Sequence, residues 1–141
     1  MNLTEIRHRF ENCPCGRVHT LDIKDIVIKS GAVRETGEIL KRNGFGNKLF
    51  LIADNNTIAA AEGIRESLLK EGFVLTEKIY SDLRTAEMRE VCAIEGVLDG
   101  FDGVISVGTG SLNDIARLAC ARKDKPLCLF ATAPSMDGFA S

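Results

Sequence analysis

The chain has no apolar run long enough to cross a bilayer, which takes about 20 residues. It has no excess of charge of one sign: 18 Lys and Arg stand against 20 Asp and Glu, a formal net charge of −2. A general nucleic-acid or anionic-membrane surface needs a basic patch, so neither partner is expected. The opening Met1-Asn2-Leu3-Thr4-Glu5 lacks the basic and apolar regions of a secretion signal, and a cytoplasmic protein is the expectation. There is no Gly-x-Ser-x-Gly nucleophile elbow, which removes the serine hydrolase reading. Histidine occurs only at His8 and His19. Cysteine occurs five times, an odd count that does not call for a disulfide framework. No internal repeat, low-complexity tract or linker is visible. The 141 residues suit one domain, and a hydrophobic share of 45% is enough for a core.

What is present is an alternation of short apolar runs and amphipathic stretches. Strands are predicted over 23–28, 48–53, 73–79, 103–107 and 127–130. Helices are predicted over 32–42, 57–71, 85–98 and 111–123. The helical spacing turns Val33, Thr36, Ile39 and Leu40 inward in the first helix, and Ile58, Ala61, Ile64 and Leu68 in the second. It turns Met88, Val91, Cys92 and Leu98 inward in the third. Cys92, Cys120 and Cys128 read as core residues. Alternating strands and helices imply an α/β fold, a Rossmann-like parallel sheet with helices on both faces.

In such a sheet, ligands bind just past the carboxyl ends of the strands. Three polar or glycine-rich segments fall there: Asp54-Asn55-Asn56, Gly108 to Asp114, and Thr132 to Gly138. The glycine segment lies between a strand and a helix, where backbone N–H groups and the helix N-terminus favour an anion. It is not a P-loop, and Asn113 stands where the third glycine of the dinucleotide fingerprint would be. It reads either as a phosphate cradle or as a plain strand-to-helix turn. Asp54 reads either as a ribose ligand that favours NAD over NADP or as a helix N-cap. It precedes the glycine segment, which is not the usual Rossmann order. Asp114 either complements its helix dipole or meets the nicotinamide amide. Ser111 and Asn113 are capping residues or phosphate and sugar ligands. The third segment offers Thr132, Ser135 and Asp137 around a stiffening Pro134, as a turn, a cap or a substrate contact.

Gly-Thr-Gly-Ser-Leu-Asn-Asp at 108–114, followed by Thr-Ala-Pro-Ser-Met-Asp-Gly-Phe-Ala-Ser at 132–141, resembles the sn-glycerol-1-phosphate dehydrogenases. These belong to the iron-containing alcohol dehydrogenase and dehydroquinate synthase-like superfamily. The resemblance extends to Ile52-Ala53-Asp54 and to the 25–32 stretch, and so runs over nearly the whole chain. It implies reversible reduction of dihydroxyacetone phosphate to sn-glycerol 1-phosphate with NAD(H) or NADP(H), a step of phospholipid biosynthesis, with NAD favoured. It assigns dinucleotide binding to Asp54, Gly110, Ser111, Leu112, Asn113, Asp114, Thr132, Ala133, Pro134, Ser135 and Ser141, and substrate binding to Asp137. It also implies a homo-oligomer. Members of the family carry a second, helical domain whose aspartate and two histidines hold zinc or nickel, the Lewis acid that polarises the carbonyl. Those ligands are absent from this chain, so 1–141 is expected to be the N-terminal dinucleotide-binding domain of a longer enzyme and inactive alone. The alternatives are another enzyme of the superfamily, a polyol dehydrogenase or a sugar-phosphate cyclase, and a non-catalytic nucleotide-binding module.

Cys13-Pro14-Cys15-Gly16 precedes His19. Two thiols and an imidazole could give zinc three ligands, although the spacing is not that of a finger and no fourth ligand is evident. The other reading is an ordinary N-terminal loop.

Overall fold

The computed structural model describes residues 3–11, 13–81 and 83–133. Helix α1, Leu3–Glu11, is polar enough to bury none of its residues. After it, residues 13–31 run without helix or strand. A 3-10 turn at Ala32–Glu35 leads into α2, Thr36–Arg42. Then follow β1 (Lys48–Asp54), α3 (Asn55–Ala60), α4 (Ile64–Lys70), β2 (Val74–Tyr80) and α5 (Met88–Glu95). A second 3-10 turn, Leu98–Gly100, precedes β3 (Gly103–Gly108), α6 (Gly110–Lys123) and β4 (Leu127–Ala131).

The four strands form one parallel sheet in the order β2-β1-β3-β4. The continuous apolar runs of β1 and β3 account for their central places, because a strand buried on both faces needs no polar alternation. Every residue of β3 is buried. Side chains alternate between faces along a strand. Leu49, Leu51, Ala53, Ile105 and Val107 therefore pack on one face with Leu40, Ala61, Ile64, Leu68 and Phe73 from α2, α4 and their flanks. Phe50, Ile52 and Val104 pack on the other with Val91 and Ile94 of α5 and Ile115, Ala116 and Ala119 of α6. Each fully buried Leu or Ile here contributes about 1.5–3 kcal/mol relative to exposure.

Several expectations are corrected. The predicted strand at 23–28 does not form: the segment finds no ladder partner among the described residues, and Ile28 is 88% exposed. Asp25 instead ties it to α2, accepting from Arg42 and Asn43. The predicted helix 57–71 is two helices, because Gly63 at φ 94° breaks the run in the left-handed region that glycine tolerates. The helix expected from 85 begins at Met88, after an extended Glu87. Contrary to the expectation, Met88 is half exposed and Cys92 exposed, while Val91 is buried. Among the cysteines expected in the core, Cys120 is buried and Cys128 half-buried, and burial pushes both thiols up to about 12.

Candidate functional site

The chain leaves β1 toward β2 on one side of the sheet, and the next strand, β3, pairs with β1 on its other side. The gap between β1 and β3 is thus the topological switch point, where open parallel sheets bind ligands at their carboxyl edge. The register puts Ala53 opposite Val107, Asp54 beside Tyr80 and Gly108 beside Ala131. Asp54 and Gly108 therefore flank the switch point. The backbone N–H of Thr132 donates to the Gly108 carbonyl at 3.4 Å, which brings the start of the third predicted loop to the glycine turn.

Asp54 is an N-cap. Its Oδ1 accepts from the backbone N–H groups of Asn56 and Thr57, both at 2.8 Å. The Thr57 hydroxyl accepts from the Asp54 N–H at 3.0 Å, closing a capping box. The second carboxylate oxygen takes no hydrogen bond from a described residue. Capping thus commits one edge of the carboxylate and fixes its direction, and Asp54 itself is only half-buried.

The two glycines of the turn do different work. At Gly108, an added Cβ would lie 2.4 Å from Leu112 Cδ1, so this glycine lets α6 settle onto β3. Gly110 opens α6 at φ 23°, a backbone value that L side chains disfavour. Thr109 is the N-cap but makes no side-chain capping bond. The first N–H groups of a helix have no intrahelical acceptor, so α6, a 14-residue helix, starts with donors available to an anion. Ser111 Oγ donates to the Arg84 carbonyl at 3.2 Å, which brings the loop after β2 to the same helix start. Asp114 is exposed. Leu112 is 3% exposed and packs on Gly108.

Asn113 is 1% exposed, and its Oδ1 accepts from the buried Ser106 hydroxyl at 2.9 Å. Its Nδ2 is buried with no partner among the described residues. Buried amide donors nearly always find acceptors, so this one in the first turn of α6 stands out. The free N–H groups that open α6 beside it are the donors that an anion such as a dinucleotide's pyrophosphate would need. Of the predicted cofactor residues, Asp54, Gly110, Ser111, Leu112, Asn113, Asp114, Thr132 and Ala133 lie along this one edge. Pro134, Ser135 and Ser141, and the predicted substrate residue Asp137, lie outside the described residues.

Residues not singled out from the sequence also gather at this edge. Glu90 Oε2 accepts from Lys78 Nζ and from the Tyr80 hydroxyl, both at 3.0 Å. Lys78 and then Tyr80 hold the Glu90 carboxyl below its ordinary range. Burial, reinforced by Glu90, pushes the Tyr80 phenol up. Only the alternation of charge between β2 and α5 hints at this trio in the sequence.

Among the described residues, one cluster has the makings of a metal site, Cys13, Cys15 and His19, and it stands on the loop after α1. The Cys15 thiol is lowered to about 7, first by a backbone hydrogen bond from Arg17 and then by His19 and Cys13. Among the described residues, no helix is long and apolar enough to cross a membrane.

A sequence model described as iron-containing alcohol dehydrogenase matches residues 27–141. The chain is 31% identical over 135 residues to a glycerol-1-phosphate dehydrogenase [NAD(P)+] of Bacillus licheniformis, covering 92% of this chain and 34% of that protein. It is 29% identical over 119 residues to the protein of the same name from Methanothermobacter thermautotrophicus, covering 84% and 33%. The chain therefore spans about a third of the length of the curated relatives it matches. Among solved structures, the maleylacetate reductase of Agrobacterium tumefaciens is similar in fold, with a TM-score of 0.60 at 19% identity over 79% of this chain and 31% of that one. The glycerol dehydrogenase of Schizosaccharomyces pombe gives 0.59 at 22% identity over 70% and 25%.

Proposed function

The chain belongs to the iron-containing alcohol dehydrogenase family, and from that premise we propose that it is the dinucleotide-binding part of a glycerol-1-phosphate dehydrogenase. The observation that carries the reading is the uncapped start of α6 at the switch point, with the Asn113 amide buried and unpartnered beside it. The names of the curated relatives support the choice of activity. Bound NADH or NADPH would supply the hydride, and solvent the proton, for reduction of dihydroxyacetone phosphate to sn-glycerol 1-phosphate.

In this proposal, the backbone at Gly110 and Ser111 receives the pyrophosphate, and Ser111, Asn113 and Asp114 orient the rest of the dinucleotide. Thr132, Ala133, Pro134, Ser135 and Ser141 complete its site, and Asp137 meets the substrate. Asp54 turns its uncommitted carboxylate oxygen to the ribose diol, which accepts NAD and repels the 2′-phosphate of NADP. A second, helical domain outside these 141 residues would hold the zinc or nickel that polarises the carbonyl, and the whole enzyme would work as a cytoplasmic homo-oligomer. Calorimetric titration of the protein at its natural length with NADH and NADPH tests the reading. Binding with NADH preferred is expected. Failure to bind either nucleotide overturns it.

A further inference from the structure

The loop after α1 holds three soft metal ligands that the dinucleotide site does not use. Cys15 Sγ lies 2.9 Å from His19 Nε2, and the ligand atoms of Cys13, Cys15 and His19 all fall within 4.8 Å of one another. A tetrahedral zinc with ordinary Zn–S and Zn–N bonds asks for ~3.8 Å between two sulfurs and ~3.6 Å between sulfur and nitrogen. The cluster reaches those spacings with shifts of about 1 Å, within the freedom of side chains on an exposed loop. The backbone is already shaped for it. The N–H of Cys13 donates to the Phe10 carbonyl at 3.3 Å, which starts the turn at the end of α1. Gly16 at φ 75° then reverses the chain, and His19 folds back over Cys15. The imidazole also rests against the Phe10 ring, with centroids 5.7 Å apart. The cluster precedes residues 27–141, the span matched by the family model.

We propose that Cys13 Sγ, Cys15 Sγ and His19 Nε2 form a zinc site that closes the loop following α1 on itself. Two thiolates and an imidazole are the donor set of zinc, and they leave its fourth position to water or an incoming group. On binding, both thiols release their protons to solvent and the two thiolates balance the charge of the dication. All three ligands lie beyond the end of α1, so the metal orders residues 13–19, a segment without helix or strand of its own.

The test uses the protein at its natural length, reduced and stripped by a chelator, then titrated with Co2+ and with Zn2+. The expected result is an intense thiolate-to-cobalt charge-transfer band that saturates and is bleached by zinc. A site built from carboxylate and imidazole elsewhere in the protein gives no such band. The double variant Cys13→Ser/Cys15→Ser should lose the band with its circular dichroism unchanged, and Cys92→Ser should keep it. Zinc should also slow trypsin cleavage after Arg17, which lies between the ligands, in the parent and not in the double variant. Absence of the band in the parent, its survival in the double variant, or cleavage at Arg17 indifferent to zinc overturns the proposal.

Discussion

Replacing Gly108 by alanine tests whether α6 is seated on β3 as the structure has it. The new Cβ would lie 2.4 Å from Leu112 Cδ1 and 3.2 Å from Leu112 Cβ. Leu112 is 3% exposed, so its side chain has no open rotamer to take without displacing neighbours. Overpacking of this kind costs about 1–3 kcal/mol. Against it, alanine restricts the unfolded chain more than glycine and returns about 0.4–1 kcal/mol, because the Gly108 backbone is not in the left-handed region. The net loss is about 0–2.6 kcal/mol. Leu112→Ala alone removes a buried side chain and should cost about 2–5 kcal/mol. In the double variant the colliding methyl is gone, so its loss should fall short of the sum of the two single losses by the overpacking term, about 1–3 kcal/mol. Urea unfolding of the four proteins closes the cycle. Additivity within about 0.5 kcal/mol would refute the contact, since that is the behaviour of sites that do not touch.

Three further outcomes follow from the same edge. Ser106→Ala deprives Asn113 Oδ1 of its donor and leaves the whole buried amide unpartnered, so unfolding should show a loss of about 1–3 kcal/mol; a loss below ~0.5 kcal/mol contradicts the pairing. Gly110→Val places a branched side chain at φ 23° and at the proposed phosphate approach, and should weaken nucleotide binding at least about tenfold, more than 1.4 kcal/mol; retained affinity means the turn is not the cradle. Glu90 has a folded value below its ordinary 4.5, so its stabilising effect is present above that value and fades as pH falls through the lowered one. Glu90→Gln should therefore flatten the acid limb of the stability curve by about 0.2–1 kcal/mol, a small figure because the side chain is partly exposed; an unchanged limb counts against the Lys78–Glu90–Tyr80 trio.

The central strands were readable because full burial needs near-continuous apolar runs, and 49–53 and 103–107 have them, broken only by Ser106. The same rule misread 23–28, where the apolar spacing is right but no neighbouring strand among the described residues supplies a ladder. The helix break at Gly63 was invisible to periodicity, because Ala61, Ile64 and Leu68 keep their spacing across it and all three stay buried. At the candidate site, the positions of the loops were legible and their division of labour was not. Gly108 and Gly110 look like one motif in sequence, yet one accommodates Leu112 and the other bends the backbone. The Ser106 to Asn113 bond was equally hidden, since a serine inside an apolar run gives no sign of which buried amide it faces.

Asp54 joins stability and cofactor choice in one carboxylate, and the two can be separated. Capping uses Oδ1 as an acceptor for Asn56 and Thr57, a duty that an asparagine side-chain oxygen performs about equally well. Repulsion of a 2′-phosphate uses the negative charge, which asparagine lacks. Asp54→Asn should thus keep the capping box within a few tenths of a kcal/mol of its native stability, whereas loss of a cap to alanine costs about 0.5–2 kcal/mol. If the charge selects the cofactor, the same variant should bind NADPH nearly as well as NADH, while Asp54→Ala should show that change together with the loss of stability. Thermal unfolding paired with the two nucleotide titrations reads both quantities on each variant. Should Asp54→Asn keep a full preference for NADH, the carboxylate is a cap alone, and the discrimination must come from another group near β2, where the register already sets Tyr80 beside Asp54.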